Sequence, residues 1–183
     1  KKHFSQFAHW LKEKYLQSGS KLIEVGSNDG TLLENFKNSN IDVIGFEPSK
    51  TIAELANKKN IKTLNKFFNF QNLEEIKSFH SSVDVICSAN VIAHIPDLKD
   101  VIKSVDKLLS SKGLLIFEEP YLGSMFSKIS YDQIYDEHIF MFSVSSINKI
   151  FDLFDFELID VLPQVTHGGS MRYVIGRKNK HKK

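Results

Sequence analysis

The stretch that decides the fold is residues 21–30, with the sequence KLIEVGSNDG. Residues 21–25 form the short, mostly apolar run that is typical of a buried parallel strand. The run ends in a turn that contains Gly26 and Gly30, and a helical pattern follows. Because glycines in such a turn let the backbone approach a ligand closely, the strand, turn and helix together predict a nucleotide-binding unit.

The spacing of the turn residues distinguishes this unit from a dinucleotide fingerprint. Its pattern is Glu24-x-Gly26-x-x-x-Gly30, whereas dinucleotide-binding proteins carry G-x-G-x-x-G. Asn28 replaces the middle glycine that lets a pyrophosphate sit on the helix N-terminus, and Glu24 and Asp29 add negative charge. The pattern therefore disfavours an NAD-dependent dehydrogenase, while a cationic or zwitterionic ligand is tolerated.

A second acid is suitably placed to bind a ribose. Glu47 follows Gly26 by 21 residues and ends a second apolar strand, residues 41–47. A carboxylate at that point can accept hydrogen bonds from both ribose hydroxyls. A glycine turn and a ribose carboxylate without a pyrophosphate site suggest S-adenosylmethionine (SAM) as the ligand. The alternative is an ordinary strand–turn–helix unit followed by an incidental acid.

Composition limits the partners and the compartment. The 183 residues include 24 Lys and Arg against 22 Asp and Glu, so no strong field favours nucleic acid or an anionic membrane. The single cysteine, Cys87, excludes an internal disulfide and a Cys-rich zinc site within this chain, and we expect no metal. Without a signal-peptide pattern, the cytoplasm is the expected location. The chain begins at Lys1 and not at Met, so flanking domains of a longer protein are an open alternative.

Hydrophobic periodicity predicts alternating strands and helices along the chain. We expect strands at residues 21–25, 41–47, 61–64, 82–90, 114–120, 156–162 and 171–176, and helices at 3–17, 31–37, 50–59, 71–79, 98–109 and 145–154. The last two strands must be antiparallel, because residues 163–170 leave no room for a crossover helix. The predicted fold class is α/β and Rossmann-like, with a seven-stranded, mostly parallel sheet, an antiparallel last strand and helices on both faces.

We predict a single domain over residues 1–183. Within it we distinguish an N-terminal helix (1–20) that covers one edge of the sheet, a cofactor-binding half (21–120), a substrate-side segment with the antiparallel pair (121–176) and a basic tail (177–183).

Further candidate ligand contacts follow the third and fourth strands. Ala89 and Asn90 end the fourth strand at the carboxyl edge, where open parallel sheets bind their ligands. Phe68 and Asn69 follow the third strand, where they could flank an adenine ring. Aromatic packing in the core is an equally good interpretation of these two residues.

The densest group of titratable residues is Tyr135-Asp136-Glu137-His138. A phenol, a carboxylate and an imidazole so close together can form a proton-transfer group, in which Glu137 would hold one nitrogen of His138. His94, after the fourth strand, would face the same cleft. A surface ion pair and a structural histidine are the respective alternatives.

A third cluster comprises His167, Ser170 and Arg172. Together these side chains can offer an imidazole, a hydroxyl and a guanidinium to an anionic substrate such as a nucleotide diphosphate. The alternative is a turn that simply needs its two glycines.

Four motifs occur in an order that resembles the SAM-dependent sugar C-methyltransferases. They are Glu24-Val-Gly-Ser-Asn-Asp-Gly30, Asn90-Val-Ile-Ala-His94-Ile-Pro-Asp97, Tyr135-Asp-Glu-His138 and His167-Gly-Gly-Ser-Met-Arg172. The resemblance spans about residues 20–176 and implies a class I methyltransferase. It places Gly26, Asn28, Glu47, Phe68 and Asn90 around SAM, and Tyr135, Glu137, His138 and His94 around the substrate. Our candidate cofactor contacts also include Glu24, Ser27, Gly30, Pro48, Asn69 and Ala89.

The resemblance also implies a reaction, namely methylation of a carbon next to the keto group of a nucleotide-linked deoxysugar. His138 or Tyr135 would remove the proton, Glu137 would orient His138, and His94 would donate to the enolate oxygen. Two departures from the family stand out: its cysteine-rich zinc-binding region and C-terminal domain are missing from this sequence, and Asp136 replaces a frequent histidine. The alternatives are O- or N-methylation of another small molecule, or a catalytically silent binding module.

Overall fold

The computed structural model describes residues 1–181 and contains a seven-stranded sheet with the order β3-β2-β1-β4-β5-β7-β6. The strands are β1 (Lys21–Val25), β2 (Asp42–Phe46), β3 (Thr63–Leu64), β4 (Val83–Ala89), β5 (Leu109–Pro120), β6 (Phe156–Gln164) and β7 (Ser170–Arg177). Strands β1 to β5 run parallel, and β7 is antiparallel to both of its neighbours. The predicted fold class is confirmed.

Helical segments cover both faces of the sheet. The α-helices in the described part of the chain are α1 (Lys2–Lys14), α2 (Lys50–Lys58), α3 (Leu98–Leu108), α4 (Leu122–Lys128) and α5 (Val144–Asp152). Leu33–Phe36, Phe70–Phe79, Ile92–His94 and Tyr131–Gln133 are 3₁₀ helices. Two predicted helices, residues 31–37 and 71–79, are therefore of the tighter type, and the second is interrupted at Ile76, whose φ and ψ are not helical.

Helix α1 covers a face of the sheet, so the prediction that it covers an edge is wrong. Its apolar side chains Phe7 and Leu11 are fully buried and belong to one core cluster with Val85 of β4 and Ile116 of β5. Only a face of the central strands offers enough apolar surface to bury such a stripe. Helices α3 and α5 close the opposite face.

Strand β5 begins earlier than predicted. Leu109 already pairs with Val83, and the register shifts before Leu114 pairs with Val85. Residues 110–113, which we expected to connect the preceding helix to this strand, therefore form an irregularity within the strand. Local pattern misses this feature because the pairing partner comes from a distant part of the chain.

The antiparallel pair brings the turn between β6 and β7 to the carboxyl edge of the sheet. Strand β7 lies between β5 and β6, and its first residue, Ser170, pairs with Pro120 at the end of β5. The ends of β1, β2, β4 and β5 and this turn thus share one edge.

The C-terminal end differs from the predicted basic tail. Arg177 belongs to β7 and pairs with Asp106 of α3, while Lys182 and Lys183 lie outside the described residues. Among residues 1–181, no helix combines the length and the apolar character needed to cross a bilayer.

Candidate active site

The loop after β1 packs tightly against the segment that follows β4. Gly26 has a φ of +67°, and a Cβ atom at this position would lie 2.4 Å from Cγ2 of Val91. Asn28 also has a positive φ, of 50°. The N–H of Ser27 donates to the Phe46 carbonyl at 3.0 Å, which ties the loop to β2 as well. The loop is therefore held between two strand ends and faces the carboxyl edge.

A cavity of about 370 Å³ opens beside this loop. Six of the predicted cofactor residues line it: Glu24, Gly26, Ser27, Asn28, Ala89 and Asn90. Lys1, which precedes α1, and Phe4 in the first turn of α1 also line it, and sequence reasoning did not anticipate either residue. The N-terminal helix therefore contributes to the site as well as to the core.

Three of the lining residues carry buried oxygens that have no hydrogen-bond partner within the described part of the chain. These atoms are Oε2 of Glu24, Oγ of Ser27 and Oδ1 of Asn90. Burial, followed by the charges of Asp29 and Glu47, raises the pKa of Glu24 well above its usual value. A buried acceptor without a partner is costly, so the cavity suits a ligand that brings donors or positive charge. The cationic sulfonium and amino groups of SAM fit this requirement.

Glu47 contacts the loop after β1 but is not among the residues that line the cavity, so its ribose contact stays a prediction. Its Oε2 accepts the Asn28 N–H at 3.1 Å and its Oε1 accepts the Ser49 N–H at 2.8 Å. Each carboxylate oxygen retains a lone pair for a hydroxyl. Pro48 makes its contact through the backbone: its carbonyl accepts a hydrogen bond from the side-chain amide of Asn65 at 2.8 Å.

Three predicted cofactor residues have structural partners away from the cavity. The Phe68 ring packs edge-on against Phe46 at 5.2 Å between centroids, and the Asn69 side chain caps the following 3₁₀ helix by accepting the N–H of Asn72 at 3.0 Å. A Cβ atom on Gly30 would meet Ile61 at 2.6 Å. The structure thus favours core packing over an adenine contact for Phe68 and Asn69.

Tyr135 and His138 form a directed pair. The Tyr135 hydroxyl lies 3.0 Å from Nε2 of His138, and Nδ1 of His138 lies 2.7 Å from the Gln133 carbonyl. Since a carbonyl can only accept, Nδ1 must carry the proton. Nε2 of a neutral His138 is then left to accept from the phenol, which is the arrangement a general base needs.

Glu137 does not orient His138, so that prediction is wrong. Its carboxylate lies 4.0 Å from Nδ1 of His94, and its side chain is 75% exposed. The Gln133 carbonyl takes the role that we assigned to Glu137. Spacing within the motif cannot reveal this, because a backbone carbonyl carries no sequence signature.

His94 stands beside this pair. Its ring lies edge-on to the His138 ring with 4.9 Å between centroids. Burial, followed by the nearby His138, lowers the pKa of His94, and Glu137 partly opposes this shift. His94 is therefore a neutral imidazole at neutral pH, with one N–H to donate.

The predicted anion-binding cluster separates into different environments. His167 is exposed in the turn before β7. The Ser170 hydroxyl is buried and donates to the Thr166 carbonyl at 3.1 Å. The guanidinium of Arg172 lies over the rings of Phe7 and Trp10, at 4.1 and 4.4 Å from their centroids.

The guanidinium of Arg172 also donates to Glu118, through Nε at 2.7 Å. This buried ion pair leaves Arg172 closed to an anionic substrate, so we correct that prediction. His3 of α1 lies 2.6 Å from the other oxygen of Glu118. The ion pair between Glu118 and Arg172 thus helps to hold α1 against the sheet, because both of its members contact residues of that helix.

Sequence reasoning also missed Glu119, the next residue of β5. It is fully buried, and desolvation raises its pKa to about 7 against the hydrogen bonds that it accepts from the backbone of residues 91–93. The signal that could have revealed both acids is their position, since two consecutive carboxylates end an otherwise apolar central strand. Among residues 1–181, no group of His, Cys, Asp and Glu side chains is arranged to hold a metal ion.

Comparison with known proteins identifies the family. The methyltransferase domain family model, Methyltransf_23, matches residues 2–161. The C-methyltransferase NovU of Streptomyces niveus is 33% identical over 156 residues, which are 85% of this chain and 37% of that protein. A ubiquinone biosynthesis O-methyltransferase of Aliivibrio fischeri (strain ES114) is 28% identical over 54% of this chain and 43% of its own length. The chain thus spans about two fifths of the length of these relatives.

Solved structures share the fold. Magnesium protoporphyrin IX methyltransferase from Synechocystis PCC 6803, solved with bound SAH, aligns with a TM-score of 0.73 and 15% identity over 97% of this chain and 83% of its own. The YcgJ protein of Bacillus subtilis aligns with a TM-score of 0.71 and 13% identity over 98% of this chain and 100% of its own. The match of the family model over residues 2–161 shows that the chain belongs to the methyltransferase domain family.

Proposed function

We propose that this domain transfers the methyl group of SAM to a carbon next to the keto group of a nucleotide-linked deoxysugar. The observation that carries the proposal is the hydrogen bond between Tyr135 and His138, with His94 beside them. His94 ends the turn that begins at Val91, a residue that lines the cavity, and the His94 ring contacts the ring of His138. A proton-removing pair next to a methyl donor suits attack by carbon better than attack by a heteroatom that is already nucleophilic.

The residues can divide the work of forming the nucleophile. The Tyr135–His138 pair takes the proton from the carbon next to the carbonyl. Nε2 of His138 either removes this proton directly or receives one through the Tyr135 hydroxyl. The electron pair of that C–H bond moves towards the carbonyl oxygen, where the N–H of His94 stabilises the developing charge. SAM, when bound, supplies an electrophilic methyl group. The protein then has to align the carbon with that methyl group, which can contribute much of the rate.

Two features support the choice of substrate class. The C-methyltransferase NovU is the relative that covers most of this chain among those compared above, and its name gives C-methylation as its activity. The four motifs that resemble the sugar C-methyltransferases lie on the loops at one edge of the sheet. Substrate contacts through His167 and the possibility of flanking domains stay predictions. The cytoplasmic location and the lack of nucleic-acid and membrane partners also stay predictions.

The test is turnover with SAM labelled in its methyl group and a panel of nucleotide-linked keto-deoxysugars. We expect a product whose label resists base hydrolysis. Tyr135→Phe and His138→Asn should lower turnover at least a hundredfold, as loss of a general base commonly does. Tyr131→Phe is the matched control, since Tyr131 is another exposed tyrosine of the same segment. Near-normal turnover in both site variants would refute the assignment.

The second candidate is O-methylation of a small molecule, and the O-methyltransferase relative favours it. This reaction uses the same cofactor site but needs no proton removal from carbon. Carbon NMR of the product made with ¹³C-methyl SAM separates the two candidates, because a methyl carbon bonded to oxygen resonates far downfield of one bonded to carbon.

A further inference from the structure

Glu119 is a buried carboxylate at the end of β5 that bonds to the segment following β4. Its Oε1 accepts the backbone N–H groups of Val91 at 2.9 Å, Ile92 at 2.6 Å and Ala93 at 3.3 Å. These groups open the 3₁₀ helix Ile92–His94, and N–H groups at the start of a helix have no acceptor within it. The carboxylate supplies that acceptor and so fixes the path of the turn.

Ala93 carries this constraint to the segment that contains His138. Its carbonyl accepts the N–H groups of Ile139 at 3.0 Å and Phe140 at 3.2 Å. These two residues directly follow His138, while His94 directly follows Ala93. One short piece of backbone therefore sets the positions of both imidazoles, whose rings lie 4.9 Å apart.

Packing alone does not account for a carboxylate at this position. Glu119 is completely buried, and its second oxygen has no partner among the described residues. Burying an ionisable group is less favourable in free energy than burying an apolar group of the same size, unless its hydrogen bonds offset the loss of solvation. Here those bonds all go to the backbone of residues 91–93. Its neighbour Glu118 points to the opposite face and binds Arg172.

We infer that Glu119 is a positioning residue, which fixes the backbone of residues 91–93 and thereby holds His94 and the Tyr135–His138 pair in their working arrangement. It is not among the residues that line the cavity, and it acts through other residues. Its meaning for catalysis rests on the proposed function, but the arrangement that it holds can be tested without a substrate.

The test compares Glu119→Gln and Glu119→Ala with wild type by amide hydrogen exchange and by the NMR signals of the histidine rings. Exchange at Ile139 and Phe140 should rise at least threefold in the glutamine variant, which keeps one acceptor oxygen, and at least tenfold in the alanine variant. The ring signals of His94 and His138 should shift in both. If the alanine variant does not fold, the glutamine variant alone decides.

Asp84→Asn is the matched control. Asp84 also accepts a backbone N–H, from Lys21 at 2.9 Å, but at the opposite edge of the sheet. Unchanged exchange at Ile139 and Phe140 in Glu119→Gln, or an equal rise in Asp84→Asn, would overturn the inference.

Kinetics provide an independent readout wherever a keto sugar is turned over. Glu119→Gln should lower kcat at least tenfold and leave KM for SAM within about threefold, whereas an unchanged kcat would contradict a positioning role. If no keto sugar is methylated by the wild-type protein, the proposed function fails. The exchange and ring-signal results still decide the role of Glu119 in that case.

Discussion

Replacing Gly26 by alanine tests whether the loop after β1 must pack as closely on Val91 as the structure indicates. A left-handed backbone, here with a φ of +67°, costs an L-residue about 1 kcal/mol or slightly more. The new Cβ would lie 2.4 and 2.8 Å from the two γ-carbons of Val91, well inside van der Waals contact. Overpacking of this kind costs about 1–3 kcal/mol. We therefore expect the free energy of unfolding to fall by about 2–4 kcal/mol.

Gly19→Ala separates the two contributions. Gly19 also has a positive φ, of +85°, but a Cβ atom there would meet nothing within 4 Å. The free energy of unfolding of this variant should fall by only about 1 kcal/mol, which is the cost of the left-handed backbone conformation. Urea unfolding measures both losses as changes in midpoint at constant slope.

Calorimetry with SAM completes the test of Gly26. Because Val91 lines the cavity, displacing it should weaken SAM binding at least tenfold in Gly26→Ala and leave it unchanged in Gly19→Ala. Equal losses of stability in the two variants, or full SAM affinity in Gly26→Ala, would show that the loop relaxes freely. The reasoning from close packing would then be refuted.

Three further predictions concern buried groups. Burial raises the pKa of Glu119 from 4.5, the ordinary value for a glutamate, to about 7, so the folded state keeps a proton that the unfolded state releases. Its contribution should lower the free energy of unfolding by about 3 kcal/mol as pH rises from about 4.5 to 7, and Glu119→Gln should remove this fall in urea titrations at several pH values. Glu118→Gln should cost about 3–5 kcal/mol in urea unfolding, because it leaves the buried charge of Arg172 without its partner; a loss below 1 kcal/mol would contradict a buried pair. Phe68→Leu should lower stability by about 1 kcal/mol through lost packing on Phe46 while SAM affinity measured by calorimetry stays unchanged, and a clear loss of affinity would restore the adenine contact.

Features that depend on local pattern were predictable. The alternation of apolar strands and amphipathic helices predicts the parallel core, and the short connection between β6 and β7 predicts their antiparallel pairing. Glu24 and Asn90 could be placed at one edge because the carboxyl ends of parallel strands coincide.

Features that depend on the partner of a side chain were not predictable. Arg172 has the residue type of an anion-binding group, but its strand position turns it towards α1, where Glu118 and two aromatic rings enclose it. Glu137 neighbours His138 in sequence, yet the imidazole is held by the Gln133 carbonyl. Phe68 follows a strand end but turns into the core.

The sequence by itself determined the fold class, the glycine-containing loop after β1 and the group of titratable residues after β5. Glycine spacing, the periodicity of apolar residues and residue type are local properties of the chain. Only the tertiary structure decided which oxygens of the cavity lack partners, that His94 lies against His138, and that Glu119 supports them both. Those relations join residues more than twenty positions apart, and strand order and side-chain direction, which bring them together, arise only when the sheet is assembled.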